Sequence, residues 1–342
     1  MGLQIGNIIE KREIELSDLK GKTLAVDAFN IIYQFLSTIR QIDGTPLQDR
    51  KGRVTSHLSG LFYRNIALLS KGIKLIYVFD GEPPNLKAKT HEARANIKAE
   101  AQKKYEAAKQ GEDVEAMGKY SKQLASLDAK KIEESKKLLK AMGIAVIQAP
   151  SEGEAQASYL AKYEKDVYAI ASQDYDCLMF ESPLLLQNLT LAKKRKTVAG
   201  YVDIKPQIIE LEKVLKELEV DQDQLICIGI LSGTDYNPKG VMGLGPKKAL
   251  KFVKEFKTPE KIFQAVEDHE KYELDFDWKA VFEAIKNSKI DKDYKIEFGK
   301  FDEAAVMEIM TEHDFSEERI EKQFDKIHEQ KEASKQKTLF TF

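Results

Sequence analysis

Cysteine is nearly absent from this 342-residue chain. Cys177 and Cys227 are the only two, which excludes a disulfide framework, a CxxC motif and a cysteine zinc set. That usage fits a reducing compartment. No apolar run reaches the ~18 residues that a spanning helix needs, and the first residues lack a basic-then-apolar leader pattern. Gly6 stands where an N-myristoylation signal has Ser or Thr, so lipidation is not expected. Neither sign of charge is in excess: 54 basic and 56 acidic side chains leave a net charge of -2. Binding of nucleic acid through overall positive charge is therefore excluded, whereas a local basic groove is not. The five histidines, His57, His91, His269, His313 and His328, are scattered and unpaired, which argues against zinc. There is no internal repeat.

What is present is a globular composition, 42% hydrophobic and 32% charged, on a chain long enough for one large or two ordinary domains. Three short apolar runs lead into aspartate. Thr23–Val26 meets Asp27, Leu75–Phe79 meets Asp80, and Val167–Ala171 continues through Ser172 and Gln173 to Asp174. Such runs read as buried strands, and the patterns over 30–40, 54–71, 128–142 and 153–164 read as helices. A further strand is expected over Leu184–Leu189. The fold class is α/β, with a mostly parallel central sheet flanked by helices. Ligand sites in such sheets lie at the carboxyl ends of the strands, where these aspartates fall.

Two segments interrupt the alternation. Residues 85–124 are long, polar and helix-prone, with Lys87, Lys89, Arg94, Lys98, Lys103, Lys104 and Lys109 and few large apolar residues. They read either as a solvated helical hairpin or as a basic lid over the strand ends. Residues 239–253 follow an expected helix over 223–232 and contain Gly243-Leu244-Gly245-Pro246-Lys247-Lys248. Helix, Gly-x-Gly-Pro, then a basic-apolar helix describes a helix–hairpin–helix that lets a phosphate reach backbone amides at a helix N-terminus. An ordinary turn between two helices would use the same glycines. Residues 255–318 read as further helices of that region. The tail beyond about 329 reads as polar and mobile. The basic run Lys193-Lys194-Arg195-Lys196 follows the 184–189 strand and is either a solvated loop or a nucleic-acid contact.

Two more acidic pairs complete a set. Glu152 and Glu154 follow the helix-start signals Pro150 and Ser151. Asp174 and Asp176 are two apart, which in an extended segment puts both on one face. Asp235 follows a helix C-terminus, where an acid needs a nearby cation. Each acid alone reads as structural. Together, five segments bring seven carboxylates to one sheet edge, and these cannot all stay ionised there without cations. All-oxygen ligation points to Mg²⁺ or Mn²⁺. Two such ions about 4 Å apart are a device for phosphodiester hydrolysis.

The same residues resemble the flap endonuclease family, the structure-specific 5′ nucleases of archaeal and eukaryotic replication. The resemblance spans nearly the whole chain. It is carried by Met1-Gly2-Leu3, Val26-Asp27-Ala28, Tyr77–Gly81, Pro83-Pro84, Ala149–Ala155, Asp174–Leu178, Ser232–Tyr236 and Gly243–Lys247. It implies a PIN-like 5′ nuclease fold with a helical arch. Asp27, Asp80, Glu152 and Glu154 would hold one metal, and Asp174, Asp176 and Asp235 the other. Lys87 and Arg94 would face the scissile phosphate, and Tyr33 would stack on a terminal base. Gly2 would let the N-terminus pass close to DNA. Arg40 and Arg64 would contact duplex or phosphate, and the stretch around Gln48 and Thr55 would pocket a one-nucleotide 3′ flap. The hairpin at Gly243, Gly245, Lys247 and Lys248 would hold downstream duplex with a bound K⁺.

The end of the chain, Gln336-Lys337-Thr338-Leu339-Phe340-Thr341-Phe342, resembles the peptide with which family members bind the sliding clamp. Gln336, Leu339, Phe340 and Phe342 would carry that contact. The expected organisation is a nuclease core over 1–84 and 126–220, an arch over 85–125, a helical DNA-binding region over 221–320 and a flexible tail over 321–342. The expected activity is two-metal cleavage at the base of 5′ flaps, with 5′–3′ exonuclease action, in Okazaki fragment maturation and base excision repair. The protein would act as a monomer on branched DNA, away from membranes, in an archaeal cytoplasm or a eukaryotic nucleus. A non-catalytic DNA-binding clamp partner, or a related nuclease of bubbles or RNA, is the alternative.

Overall fold

Both faces of the central strands are apolar, so the sheet is covered on both sides. The computed structural model describes residues 3–41, 44–111, 113–189, 194–197 and 200–339. Its strands are β1 (Arg12–Glu13), β2 (Thr23–Asp27), β3 (Lys74–Phe79), β4 (Ala145–Gln148), β5 (Val167–Ala171), β6 (Leu184–Gln187), β7 (Lys194–Thr197), β8 (Gly200–Asp203) and β9 (Gln207–Glu210). Seven of them form one sheet in the order β1-β9-β6-β5-β2-β3-β4, and β7 pairs with β8 as a separate hairpin. The pairs β2/β3, β2/β5, β3/β4 and β5/β6 are parallel, while β9 runs antiparallel to β6 and to β1. The chain lays β3 and then β4 on one side of β2 and returns to place β5 on the other. That reversal opens a crevice at the carboxyl ends of β2 and β5.

The helices are α1 (Ala28–Thr38), α2 (Ser56–Leu69), α3 (Ala88–Gln110), α4 (Val114–Gln123), α5 (Ala129–Ala141), α6 (Gly153–Tyr163), α7 (Asp176–Met179), α8 (Leu211–Leu218), α9 (Gln222–Ser232), α10 (Pro246–Phe256), α11 (Pro259–Glu267), α12 (Trp278–Lys286), α13 (Glu303–Thr311) and α14 (Glu317–Leu339). Side-chain caps start several of them, including Asp128 at α5 and the capping box of Asp221 and Gln224 at α9. Strand alternation divides the core. Leu24, Val26, Leu75, Tyr77 and Phe79 pack with α1, α2 and α5, whereas Ala25, Ile76 and Val78 pack with α6 and α9 to α12. Helices α3 and α4 pack on each other as a hairpin, and α4 reaches α1.

Two expectations are corrected here. The helices of 255–318 do not form one unit. Residues 287–302 carry no helix or strand and lead the chain across to the other face of the sheet. The crossing is held by paired hydrogen bonds between Gln156 and Asp291, each 2.9 Å, and by Asp302 N donating to Ala141 O at 2.8 Å. Val306 and Met310 of α13 then join the α1–α2–α5 core. The tail expected to be flexible over 321–342 is helical in its described part, because α14 continues to Leu339. Its residues Ile320, Phe324 and Ile327, at helical spacing, are buried in that same core.

Candidate active site at the carboxyl edge of the sheet

Each acid is delivered by the end of a regular element. Asp27 closes β2 and caps α1, accepting from Asn30 N at 3.1 Å, and its Oδ2 accepts from Ser172 Oγ at 3.1 Å. Asp80 follows β3, and its Oδ1 accepts from Gly153 N at 2.7 Å, tying that strand end to the start of α6. Glu152 is the residue before α6 and Glu154 lies in its first turn, where free N–H groups favour negative charge. Asp174 accepts from Asn30 Nδ2 at 3.1 Å, and Asp176 accepts from Leu3 N at 2.5 Å. The extended geometry expected for 174–176 is corrected: the chain turns at Tyr175, and Asp176 opens the short helix α7. Asp235 follows α9 and lies 3.9 Å from Lys87 Nζ, the cation its position demanded.

Six of the seven acids line a cleft of about 400 Å³, with Tyr33 and Lys87 in its walls. Asp176 stands behind that surface, 6% exposed. Among the described residues no three His, Cys, Asp or Glu side chains converge on a point that could hold a metal ion as they stand. Lys87 stands among the acids, between Glu152 and Asp235. Its Nζ donates to Glu152 Oε1 and lies 4.8 Å from the ring centroid of Tyr236. The Tyr236 hydroxyl donates to Glu152 Oε2.

Crowding of buried acids governs their protonation. Burial, with the nearby Asp174 charge, raises Asp27 to about 6 despite hydrogen bonds from Asn30 and Ser172. Burial and Asp27 raise Asp80 to about 7, and burial and Asp174 raise Asp176 to about 7. Burial, then Asp174, Asp27 and Asp176, push Glu154 well above the carboxylate range. Burial alone would lower the Lys87 ammonium, but Glu152, Asp235 and Glu154 outweigh it and hold it above its ordinary value. The cleft thus stores a demand for positive charge that one lysine meets only in part.

The remaining expected residues separate into three groups. Gly243 (φ +86°), Gly245, Lys247 and Lys248 are exposed together at the start of α10. A Cβ on Gly245 would meet nothing within 4 Å, and Pro246 takes the first helical position. Lys248 Nζ donates to Gly243 O at 3.0 Å. Gln48 lines a second cavity, of about 360 Å³, against Tyr105 and Lys109 of α3, while Thr55 is buried beside it. The two arginines make contacts within the protein. Arg40 donates to the carbonyls of Ser37, Gly44 and Leu36, closing the end of α1. Arg64 is 6% exposed, lies over the Phe35 ring and faces Gln34 Oε1 at 3.4 Å, so the expected phosphate contact is corrected to an interior one. Gly2, Lys193, Phe340 and Phe342 lie outside the described residues, as do the side chains of Arg94, Lys194, Gln336 and Leu339.

Four participants were given no role by the sequence. Asn30 bridges Asp27 and Asp174, Ser172 holds Asp27, the Leu3 amide holds Asp176, and Tyr236 holds Glu152. Asn30 and Tyr236 each lie close in sequence to a recognised acid, but nothing local shows which carboxylate they meet.

The chain is similar to known proteins over nearly its whole length. A family profile described as the XPG N-terminal domain matches residues 2–101, and one described as the XPG I-region matches 143–235. Flap endonuclease 1 of Pyrococcus abyssi is 49% identical over 342 residues, covering 99% of this chain and 97% of that protein. Flap endonuclease 1 of Aeropyrum pernix is 50% identical over 333 residues, covering 96% and 94%. Among solved structures, flap endonuclease-1 from Methanococcus jannaschii matches with a TM-score of 0.74 at 40% identity, covering 96% of this chain and 98% of that one. The catalytic core of Rad2 in complex with DNA substrate shares the fold, with a TM-score of 0.69 at 24% identity, covering 93% and 96%.

Proposed function

The chain belongs to the flap endonuclease 1 family and is a structure-specific 5′ flap endonuclease, and from that premise we propose how its cleft cuts DNA. The observation that carries the reading is the meeting of seven carboxylates and Lys87 at the ends of β2, β3 and β5. Their chemistry suits two hard divalent cations, Mg²⁺ or Mn²⁺: the donors are all oxygen, and their excess negative charge is costly until neutralised. Asp27, Asp80, Glu152 and Glu154 would hold one ion, and Asp174, Asp176 and Asp235 the other. Bound there, the pair would favour ionisation of an attacking water and stabilise the leaving oxygen.

The chain's own groups do the rest. With Glu152 neutralised by a cation, the Lys87 ammonium would be free to face the phosphate and stabilise the charge that builds in the transition state. Arg94, two turns further along α3, supplies a second such charge. Tyr33, 38% exposed at the cleft wall, offers a ring on which the terminal base stacks. The α3–α4 hairpin arches over the 5′ strand, the cavity at Gln48 takes the 3′ flap, and the amides and lysines at 243–248 grip downstream duplex. The products are a 5′ phosphate and a 3′ hydroxyl. Gln336 and Leu339, with Phe340 and Phe342, dock on a sliding clamp, which places the activity at replication and repair junctions. Among the described residues no helix is long and apolar enough to cross a membrane.

Single-turnover cleavage of an end-labelled 5′ flap, beside a single strand and a bubble, tests the reading. Cutting at the flap base with Mg²⁺ and none with EDTA is expected. Metal-independent cutting, or DNA binding with no cutting at all, would overturn it.

A further inference from the structure

Tyr236 meets the cleft through both ends of its side chain. Its hydroxyl donates to Glu152 Oε2, and its ring centroid lies 4.8 Å from the Lys87 ammonium. Lys87 in turn donates to the other oxygen of the same carboxylate, Glu152 Oε1. Three side chains from three segments thus close a ring of contacts, in which the tyrosine is 9% exposed. The backbone beneath it is fixed independently. Thr234 Oγ1 donates to Asn237 Oδ1 at 2.7 Å, Tyr236 N donates to Thr234 Oγ1 at 3.1 Å, and Asn237 Nδ2 donates to Ile230 O at 2.7 Å. Tyr236 is therefore a rigid post and Glu152 the group it sets.

We propose that Tyr236 is a positioning residue for cation binding: it clamps one oxygen of Glu152 so that the other faces the cleft, and its ring keeps Lys87 beside that oxygen. This rests on the reading of Glu152 as a metal ligand. A carboxylate with one oxygen held retains a single useful orientation, so ligation no longer has to order it. The oxygen that holds Lys87 is the one a cation takes. When it does, the ammonium is released yet stays over the ring, because attraction to the π face does not require the carboxylate. One side chain thus sets the metal ligand and keeps the phosphate-facing lysine at the site.

The two functions separate by substitution. Tyr236→Phe keeps the ring and removes the clamp. Mn²⁺ binding to the full chain, measured by calorimetry or by the EPR signal of free Mn²⁺, is expected to weaken roughly tenfold or more. Flap-DNA affinity in EDTA is expected to be unchanged. Single-turnover cleavage by the variant should return toward the wild-type rate as Mn²⁺ is raised, whereas Lys87→Ala stays slow at any concentration. Tyr236→Met removes clamp and ring together. It should lose the same metal affinity and, in addition, remain slower than wild type at saturating Mn²⁺. In a Glu152→Gln background, Tyr236→Phe should add nothing. Mn²⁺ affinity within twofold of wild type in Tyr236→Phe, alongside a clear loss in Glu152→Gln, would overturn the clamp and leave the ligand reading intact. An equal loss from Tyr236→Phe with and without Glu152→Gln would also overturn it. Wild-type Mn²⁺ affinity in Glu152→Gln would refute the ligand reading beneath it.

Discussion

Replacing Asp176 by Asn should stabilise the protein, and only above the ordinary aspartate range and in the absence of a divalent cation. Asp176 is 6% exposed, and burial together with Asp174 raises it from 3.8 to about 7. Roughly three pH units correspond to about 4 kcal/mol for ionising it inside the fold. The sign follows from proton counting. Between the two values the folded chain keeps a proton that the unfolded chain has released. Its contribution to stability is therefore fully present below pH 3.8 and is lost as pH rises through about 7. Asn keeps the acceptor for the Leu3 amide and carries no charge. Relative to wild type in EDTA, Asp176→Asn should gain about 2–4 kcal/mol at pH 8, several degrees in melting temperature, and nothing at pH 4. Mg²⁺ should stabilise the wild type increasingly from pH 6 to 8 and the variant far less. Thermal melts at pH 4, 6 and 8, with EDTA or MgCl₂, read this directly. A pH-independent difference, or equal stabilisation of both proteins by Mg²⁺, would refute the reasoning.

Other predictions concern separate parts of the molecule. Lys87→Ala should lower single-turnover cleavage by roughly 10²-fold or more while flap affinity in EDTA falls little, since its partner charge in the ground state is Glu152. Loss of affinity alone would make it only a DNA contact. Glu134 of α5 joins α2 to the turn that follows α13, accepting from His57 Nε2 at 3.1 Å and facing His313 Nε2 at 3.3 Å. Burial opposes its charge, but these bonds outweigh it and hold it below the ordinary range, while burial, opposed by Glu134, lowers His57. Both shifts contribute stability above the unfolded values that is lost on acidification. Glu134→Gln should therefore cost about 1–3 kcal/mol near pH 7, a difference from wild type that shrinks in acid, as urea melts across pH would show. Lys247→Ala with Lys248→Ala should weaken duplex binding and lower its salt dependence by about two charges, leaving Mn²⁺ binding intact. Truncation after Ser334 should abolish capture by an immobilised sliding clamp without changing cleavage of free flaps; retained capture would reject the tail as the docking segment.

Periodicity, capping residues and punctuation are local, so what they dictate is legible in the chain itself. The strands that lead into Asp27, Asp80 and Asp174, the starts of α5, α6 and α9, and the Gly-Pro start of α10 all lie where the residues place them. That the acids gather at one edge was legible because each stands at or near the end of a regular element, and the ends of parallel strands meet there. Where side chains meet across the chain was not legible. Lys87 reaches Glu152 over 65 residues, Tyr236 reaches it over 84, and the Leu3 amide reaches Asp176 over 173. No local pattern encodes such pairings, because they depend on how helices pack around the sheet. Arg64 illustrates the same limit: the family resemblance implied a duplex or phosphate contact, and the packing of α2 on α1 turns it inward. The last two helices illustrate it again. Which side of the sheet they cover was decided by the extended crossing at 287–302. Local chemistry along the chain set the elements and the acidic character of the strand ends. Packing settled which charges face one another, because burial and electrostatic coupling arise only between groups that folding has brought together.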